Sequence, residues 1–257
     1  MQNTQDLEPP VKGATRANRL VQCGLLLALA CAFALLLAGP AYRMGWLPLE
    51  VALKIVVAAA LIAWLAAALQ SLALLQLWGK RLPEWQLLAL LGLCLAAAVA
   101  LPPLMLYARM KSLPYLHDIS TDTENPPDLL AVPAQSTFTR KVTRYPLESS
   151  RLQQQGYPDI APLVLPVPAD QAFAHAVAVA QSMDWDIVSI APQERTIEAT
   201  ATSLLFGFKD DVVIRVTPQG NASRVDMRSV SRVGTSDFGV NAGRIRSYLH
   251  KLRLQYP

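Results

Sequence analysis

Charged residues are scarce in this sequence, and cysteine is missing from its second half. Only 16% of the 257 residues are Asp, Glu, Lys or Arg and 53% are apolar, whereas soluble domains carry about 25% charge. This excludes a disordered chain and disfavours a wholly soluble protein. Cys23, Cys31 and Cys94 all precede residue 112, so the rest of the chain can hold neither a disulfide framework nor a thiolate metal site.

Sequence motifs that would identify an enzyme are also missing. The chain contains no phosphate-binding G-x-x-x-x-G-K-[ST], no serine-hydrolase G-x-S-x-G and no zinc-protease H-E-x-x-H. We therefore expect no cofactor and no metal, and we consider an enzyme less favoured than a non-catalytic protein.

Charge is absent altogether from three long windows, residues 20–42, 55–79 and 85–108. Each is rich in Leu and Ala, which favour helix, and each exceeds the roughly 20 apolar residues that a membrane-spanning helix needs. These windows predict three transmembrane helices within residues 19–110, after an N-terminal tail of residues 1–18. Because no ionisable residue lies deep in any window, an ion or proton transporter is disfavoured.

The basic residues that flank the windows predict the orientation. Five would share the side of the N-terminus: Lys12, Arg16, Arg19, Lys80 and Arg81. Four would lie on the opposite side: Arg43, Lys54, Arg109 and Lys111. Because Lys and Arg accumulate in cytoplasmic loops, this balance favours a multi-pass inner-membrane protein with a cytoplasmic N-terminus and a periplasmic, extracytoplasmic C-terminal domain. A cleaved signal peptide is the alternative for the first window.

Small residues recur at every fourth position of the windows. The sets are Gly24, Ala28 and Ala32; Ala59, Ala63 and Ala67; and Gly92, Ala96 and Ala100. Such spacing either lets helix backbones approach closely or arises by chance in Ala-rich helices.

After the third window the chain changes character. Residues 111–167 are rich in Pro, Ser, Thr and Gln and predict an irregular linker. Residues 168–257 predict a two-layer α+β domain. Periodicity places helices at 169–183 and 237–254, and four strands at about 185–191, 195–204, 210–217 and 223–231.

Turn chemistry then predicts how these strands pair. Two-residue turns at 193–194 and 219–220 give a four-stranded antiparallel meander. In this register Ile190 lies opposite Ile197, and Val212 lies opposite Met227. One face of the sheet becomes apolar, and we expect both helices to pack on it.

Three phrases of the second half carry a family resemblance. Residues 117–127 read HDISTDTENPP, residues 206–215 read FGFKDDVVIR and residues 228–246 read RSVSRVGTSDFGVNAGRIR. Together they resemble domain of unknown function family 1499 over residues 112–254. The resemblance implies a domain that follows membrane spans in bacterial envelopes, and it implies no activity.

The third phrase contains candidate ligand-binding residues. Arginine recognises carboxylate or phosphate with two parallel donors, and a helix N-terminus also attracts anions. The predicted anion pocket comprises Arg215, Arg228, Arg232, Asp237 and Arg244. The alternative is a structural network in which acidic residues neutralise these arginines: Glu198, Asp210, Asp211 and Asp237.

The polar run near the start of the domain is interpreted as structural and not as a catalytic or metal site. His117, Asp118, Asp122 and Glu124 could suggest a metal or acid–base site, but their spacing fits no compact ligand motif. We expect this run to form a turn-rich seal at the edge of the domain.

The net charge of +4 raises the question of which binding partners the protein has. Residues 1–111 carry nine basic and four acidic residues, and residues 112–257 carry fourteen and fifteen. The excess therefore flanks the spans, and a nucleic-acid partner is not expected. The expected partner is the lipid bilayer, and residues 224–257, with seven basic and two acidic residues, add anionic lipid or an envelope protein as candidates.

The sequence thus predicts a membrane-anchored, non-catalytic binding or scaffolding module of the cell envelope. The alternative is a hydrolase-like envelope enzyme that acts on an anionic substrate at the arginines.

Overall fold

The computed structural model describes residues 12–80, 82–131 and 147–256, with side chains from residue 16 onward. The predictions for residues 1–11, for Arg81 and for the linker segment 132–146 lie outside these ranges. The chain forms two compact units, Met1–Ala108 and Arg109–Pro257.

The first unit is helical. Helix α1 spans Lys12–Arg43, α2 spans Leu49–Leu77 and α3 spans Pro83–Ser112. By length and composition, each of these helices could cross a membrane. The prediction of three long apolar helices is therefore confirmed.

Small residues form the interior of this bundle. Ala28, Ala66 and Ala96, one from each helix, are fully buried together. Near this layer the amide of Gln70 lies between two glycines and donates from Nε2 to the carbonyl of Val21 at 3.1 Å. A methyl group added at Gly24 or Gly92 would lie 2.8 or 2.3 Å from Gln70 Nε2. The small-residue spacing therefore marks faces on which the helices pack.

The second unit is an α+β domain built around one sheet. Its described residues form nine elements: β1 (Asp118–Ser120), α4 (Leu147–Gly156), β2 (Leu163–Leu165), α5 (Ala169–Gln181), β3 (Asp186–Ala191), β4 (Thr196–Thr202), β5 (Lys209–Gln219), β6 (Ala222–Ser231) and α6 (Val240–Arg253). The strand order is β1-β6-β5-β4-β3, and β2 also pairs with β6.

The prediction of a four-stranded sheet was wrong, because the sheet has six strands among the described residues. The meander of β3 to β6 is present and antiparallel throughout. The two missed strands have three residues each, too few to show an alternating pattern. Both come from the segment predicted as an irregular linker, residues 111–167.

The predicted register needs a correction of two residues. Gln219 pairs with Ala222, so the turn is Gly220-Asn221 and Val212 lies opposite Ser229 rather than Met227. Gly220 has φ +62°, which glycine adopts without strain. Because side chains alternate with a period of two, this shift leaves every residue on its predicted face. In the first hairpin the pairing of Ile190 with Ile197 is confirmed.

Helices α5 and α6 pack on the apolar face of the sheet, as predicted. The shared core joins Ile197, Ile214 and Met227 of the strands to residues of both helices. Tyr248 of α6 is fully buried and donates its hydroxyl to the carbonyl of Ala176 in α5 at 2.9 Å. The opposite face of the sheet bears the charged side chains.

Candidate functional site

The face of the sheet that points away from α5 and α6 is built from charged residues at alternate positions. Strand β5 contributes Asp211 and Arg215, and strand β6 contributes Arg224, Asp226 and Arg228. The apolar residues between them enter the core on the other side. Strand alternation therefore brings this charge together.

Residues 121–131, here termed the covering segment, lie across this face. Arg215 Nη2 donates to the carbonyl of Asn125 at 2.8 Å, and Arg228 Nη1 donates to that of Pro127 at 3.3 Å. The carboxylate of Glu198 accepts the backbone N–H groups of Leu130 and Ala131 at 2.9 and 2.8 Å. Strand side chains thus satisfy the backbone of a segment that has no regular structure.

Apolar contact reinforces these bonds. Leu129 of the covering segment forms a small buried cluster with Val213 of β5 and Val230 of β6. At the other end of the segment, Asp122 Oδ1 accepts the N–H groups of Glu124 and Asn125 at 3.0 and 2.8 Å, which makes a local turn. Within residues 117–127, Asp118–Ser120 form strand β1, and the residues after Asp122 make this turn.

Arg228 is one of the fully buried charges among the described residues of the second unit. Its side chain is 0% exposed and pairs with Asp118 through two parallel bonds, Nε to Oδ1 at 2.9 Å and Nη2 to Oδ2 at 2.7 Å. Asp118 belongs to β1, directly beside β6. Because two-point pairing satisfies both ions at once, the pair offsets their desolvation.

Arg232 makes a similar fork with a carboxylate. Its Nε and Nη2 donate to Asp211 at 2.9 and 2.7 Å, and Nη2 also reaches the hydroxyl of Thr200 at 3.2 Å. That hydroxyl donates to Asp211 Oδ1 at 3.1 Å. The bond to Asp211 raises the pKa of Arg232 above its ordinary value.

Arg215 belongs to a cluster of four charges. It lies 3.3 Å from Asp226 and 3.8 Å from Asp122, measured from Nη2 to Oδ2 in both cases. Arg224 bridges the same two carboxylates at 3.0 and 2.7 Å. Two arginines and two aspartates, contributed by the covering segment, β5 and β6, therefore neutralise one another.

The remaining two candidates lie on the helix side of the sheet. Arg244 of α6 donates to Asp210 Oδ2 at 2.6 Å and to the hydroxyl of Ser229 at 2.8 Å. Asp237 precedes α6 and accepts the N–H groups of Gly239, at 3.0 Å, and of Asn241. It therefore caps the helix, although burial outweighs these bonds and raises the pKa of Asp237 above its ordinary value.

The five predicted site residues consequently do not converge on one cleft. Arg215, Arg228 and Arg232 lie on the charged face, whereas Arg244 and Asp237 lie on the helix side. Each already has a carboxylate or backbone partner. Binding of an anion at these arginines stays a prediction.

The identities of the acidic partners were only partly predictable. Asp210 and Asp211 pair with arginines as the network alternative required, and Glu198 and Asp237 accept backbone N–H groups. Asp118, Asp122 and Asp226 were missed as partners. For Asp226 the signal was present, since it alternates with Arg224 and Arg228 on one strand.

Comparisons with known proteins add a family and two partial likenesses. No curated protein matches the chain. The di-domain ARO/CYC BexL from the BE-7585A biosynthetic pathway is similar over 37% of this chain at 16% identity, with a TM-score of 0.29. The Zhui aromatase/cyclase from Streptomyces sp. R1128 is similar over 37% of this chain and 82% of its own at 14% identity, with a TM-score of 0.22.

The chain spans only 46% of the length of BexL, and likenesses this weak carry no argument about activity. The family comparison is more extensive. The model of the family described as "Protein of unknown function (DUF1499)" matches residues 118–252, which include the six described strands and all but the last residue of helix α6. This match covers more than half of the sequence, and the chain belongs to that family.

Proposed function

We propose that this protein is a membrane-anchored, non-catalytic binding or scaffolding module of the bacterial cell envelope. The observation that carries the proposal is the charge network of the second unit. Its arginines hold the covering segment on the sheet, so their N–H groups stabilise the fold.

The guanidinium group of Arg228 is already paired, which argues against a role in binding a ligand. A catalytic or anion-binding arginine presents its planar fork to the ligand. The fork of Arg228 is bound to Asp118, and that of Arg232 is bound to Asp211. To bind a substrate, either arginine would have to release a carboxylate whose side chain is at most 15% exposed, and breaking such a pair costs several kcal/mol, on the order of 3–5.

The same proposal includes a location. We place the N-terminus in the cytoplasm and the second unit outside it, at the inner membrane. The support is the balance of Lys and Arg around the three apolar helices. Fusion of alkaline phosphatase after residue 257 should be active and fusion of a fluorescent protein dark, and the opposite pair of results would reverse the orientation.

An enzyme acting on an anionic substrate is the second candidate, and one observation favours it. Asp237 is buried and its pKa is raised, which is common among catalytic carboxylates. However, both oxygens of Asp237 accept backbone N–H groups at the start of α6. A capping role accounts for its position, so the module is the better supported candidate.

The two candidates are separable with the full chain in lipid nanodiscs. Native mass spectrometry of discs extracted from cells should find a bound lipid or envelope protein at fixed stoichiometry. Incubation with p-nitrophenyl phosphate and p-nitrophenyl acetate should give no turnover above empty discs.

A matched variant makes the outcome decisive. Asp237→Asn should leave the bound partner unchanged, because the asparagine oxygen can still cap α6. Turnover by the natural chain that Asp237→Asn abolishes, at unchanged circular dichroism, would establish the enzyme and contradict the module.

A further inference from the structure

The loop between β4 and β5 presents an apolar surface that the charge network does not involve. Residues 203–208 read Ser-Leu-Leu-Phe-Gly-Phe and contain no charge. Leu204 is 89% exposed and Leu205 is 46% exposed. The rings of Phe206 and Phe208 stack with their centroids 5.2 Å apart. Clustered exposed apolar side chains of this kind mark interaction sites.

Hydrogen bonds fix the shape of this loop. The N–H of Ser203 donates to the carbonyl of Phe208 at 2.8 Å, and the N–H of Phe208 donates to Ser203 Oγ at 2.9 Å. Gly207 donates to the carbonyl of Ser203 at 3.0 Å and has φ +66°, which favours glycine. The leucines are therefore held outward by a closed turn.

The strand topology places the loop at one particular end of the sheet. The N–H of Arg232, just after β6, donates to the carbonyl of Lys209 at 3.0 Å. The N–H of Ser231 donates to the carbonyl of His117, just before β1, at 2.9 Å. The loop therefore lies at the end of the sheet where β1 begins.

That end is also where the chain arrives from the third apolar helix. Helix α3 ends at Ser112 and β1 begins at Asp118, so five residues connect them. Two further apolar side chains are exposed near this end, Tyr115 at 67% and Val233 at 45%. A tether of five residues spans at most about 18 Å when it is fully extended.

We propose that the loop of residues 203–208 inserts into the interfacial layer of the lipid bilayer. Leucine and phenylalanine side chains favour the boundary between headgroups and acyl chains, and the neighbouring Lys209 is exposed where its ammonium group can reach phosphate headgroups. This inference rests on the membrane anchoring in the proposed function and does not depend on what the module binds.

Site-directed spin labelling of the full chain tests the insertion. Cys23, Cys31 and Cys94 are replaced by alanine, and a nitroxide is attached at Leu204→Cys in nanodiscs of phosphatidylethanolamine and phosphatidylglycerol. The matched control is Leu254→Cys, which is 67% exposed. Leu254 lies at the end of the sheet opposite the loop. Its neighbour Arg253 lines a surface pocket together with Leu163 of β2.

The label at Leu204→Cys should collide with oxygen more often, and with a water-soluble nickel complex less often, than the label at Leu254→Cys. Its depth should be about 5 to 10 Å, as for other interfacial apolar groups. Equal nickel accessibility at the two positions would overturn the insertion.

Protection of the label from oxygen and nickel together would mean that protein covers the loop, and would also overturn the proposal. Neither outcome would bear on the module, which is tested by turnover and bound partner. Conversely, turnover with an inserted loop would refute the module and leave this inference standing.

Discussion

The two units of this chain place polarity in opposite positions. In the helical unit alanine and glycine fill the interior, while large apolar side chains such as Leu61 and Phe33 face outward. In the sheet unit charged side chains such as Arg228 and Asp211 are enclosed. On the proposed membrane anchoring, the contrast follows from the solvent. Lipid favours apolar surfaces and close backbone contact, whereas in water a buried charge is tolerated only with a partner.

The two interiors should also tolerate substitution differently. The helical unit depends on the absence of side-chain volume at its contacts. The sheet unit depends on complementary pairs, so the loss of one partner should cost more than the loss of both.

Arg228→Ala should have the largest effect. It removes both bonds that Asp118 receives from Arg228, and we expect the free energy of unfolding to fall by about 3–5 kcal/mol. Urea unfolding of the full chain, followed by a probe in the sheet unit, measures the loss. The double variant Arg228→Met with Asp118→Leu should be more stable than Arg228→Met alone. If the double variant were the less stable of the two, the pairing argument would be wrong.

Gly92→Ala should have the next largest effect, and it tests the helical unit. The new methyl group would lie 2.3 Å from Gln70 Nε2, and Gln70 is fully enclosed. We expect a loss of about 1–3 kcal/mol, measured by thermal unfolding in nanodiscs. Gln70→Ala in the same chain should relieve most of it. Gly243→Ala is the matched control, since nothing lies within 4 Å of its added methyl group.

Asp237 should make the stability of the sheet unit depend on pH, with an effect of intermediate size. Its folded pKa is raised above the ordinary value of 3.8, so the folded state holds its proton more tightly than the unfolded state. The contribution of Asp237 to stability should therefore fall as pH rises from about 3.8 through its folded pKa. The unfolding midpoint of the natural chain, compared with that of Asp237→Asn, should decline over this window. A difference that rises with pH would contradict the sign.

Arg246→Ala should have the smallest effect. Its pair with Asp159 is 43% and 55% exposed, and such pairs contribute roughly 0–1 kcal/mol. The same urea titration that is used for Arg228 measures it. A loss as large as that of Arg228→Ala would show that burial does not distinguish the two pairs.

The predictability of the two units differs for a related reason. Charge-free windows and the alternation of Val212, Ile214 and Val216 are local patterns, and they located the long helices and the strands of the meander. Strand β1 has three residues and forms only because β6 lies beside it. The turn at Gly220-Asn221 was predicted one residue too early, at Gln219-Gly220. Both pairs contain the glycine that such a turn favours, so the local sequence does not distinguish them.

The candidate site was less predictable than the fold. The residue types identified the arginines as candidates. The sequence could not show whether their guanidinium groups were available to a ligand or already paired with carboxylates of the chain. The partner of Arg228 lies 110 positions away in the chain, in a stretch whose composition indicated a linker. Such pairings are a property of the topology.

That separation also orders the synthesis of the domain. Asp118 leaves the ribosome long before Arg228, and at ordinary elongation rates 110 residues take roughly 5 to 20 s. During this interval β1 and the covering segment have no sheet to join, while the apolar helices before them are already complete. The first part of the domain to be made is therefore among the last to fold, and the exposed, unpaired stretch is the one that proteases and chaperones meet first.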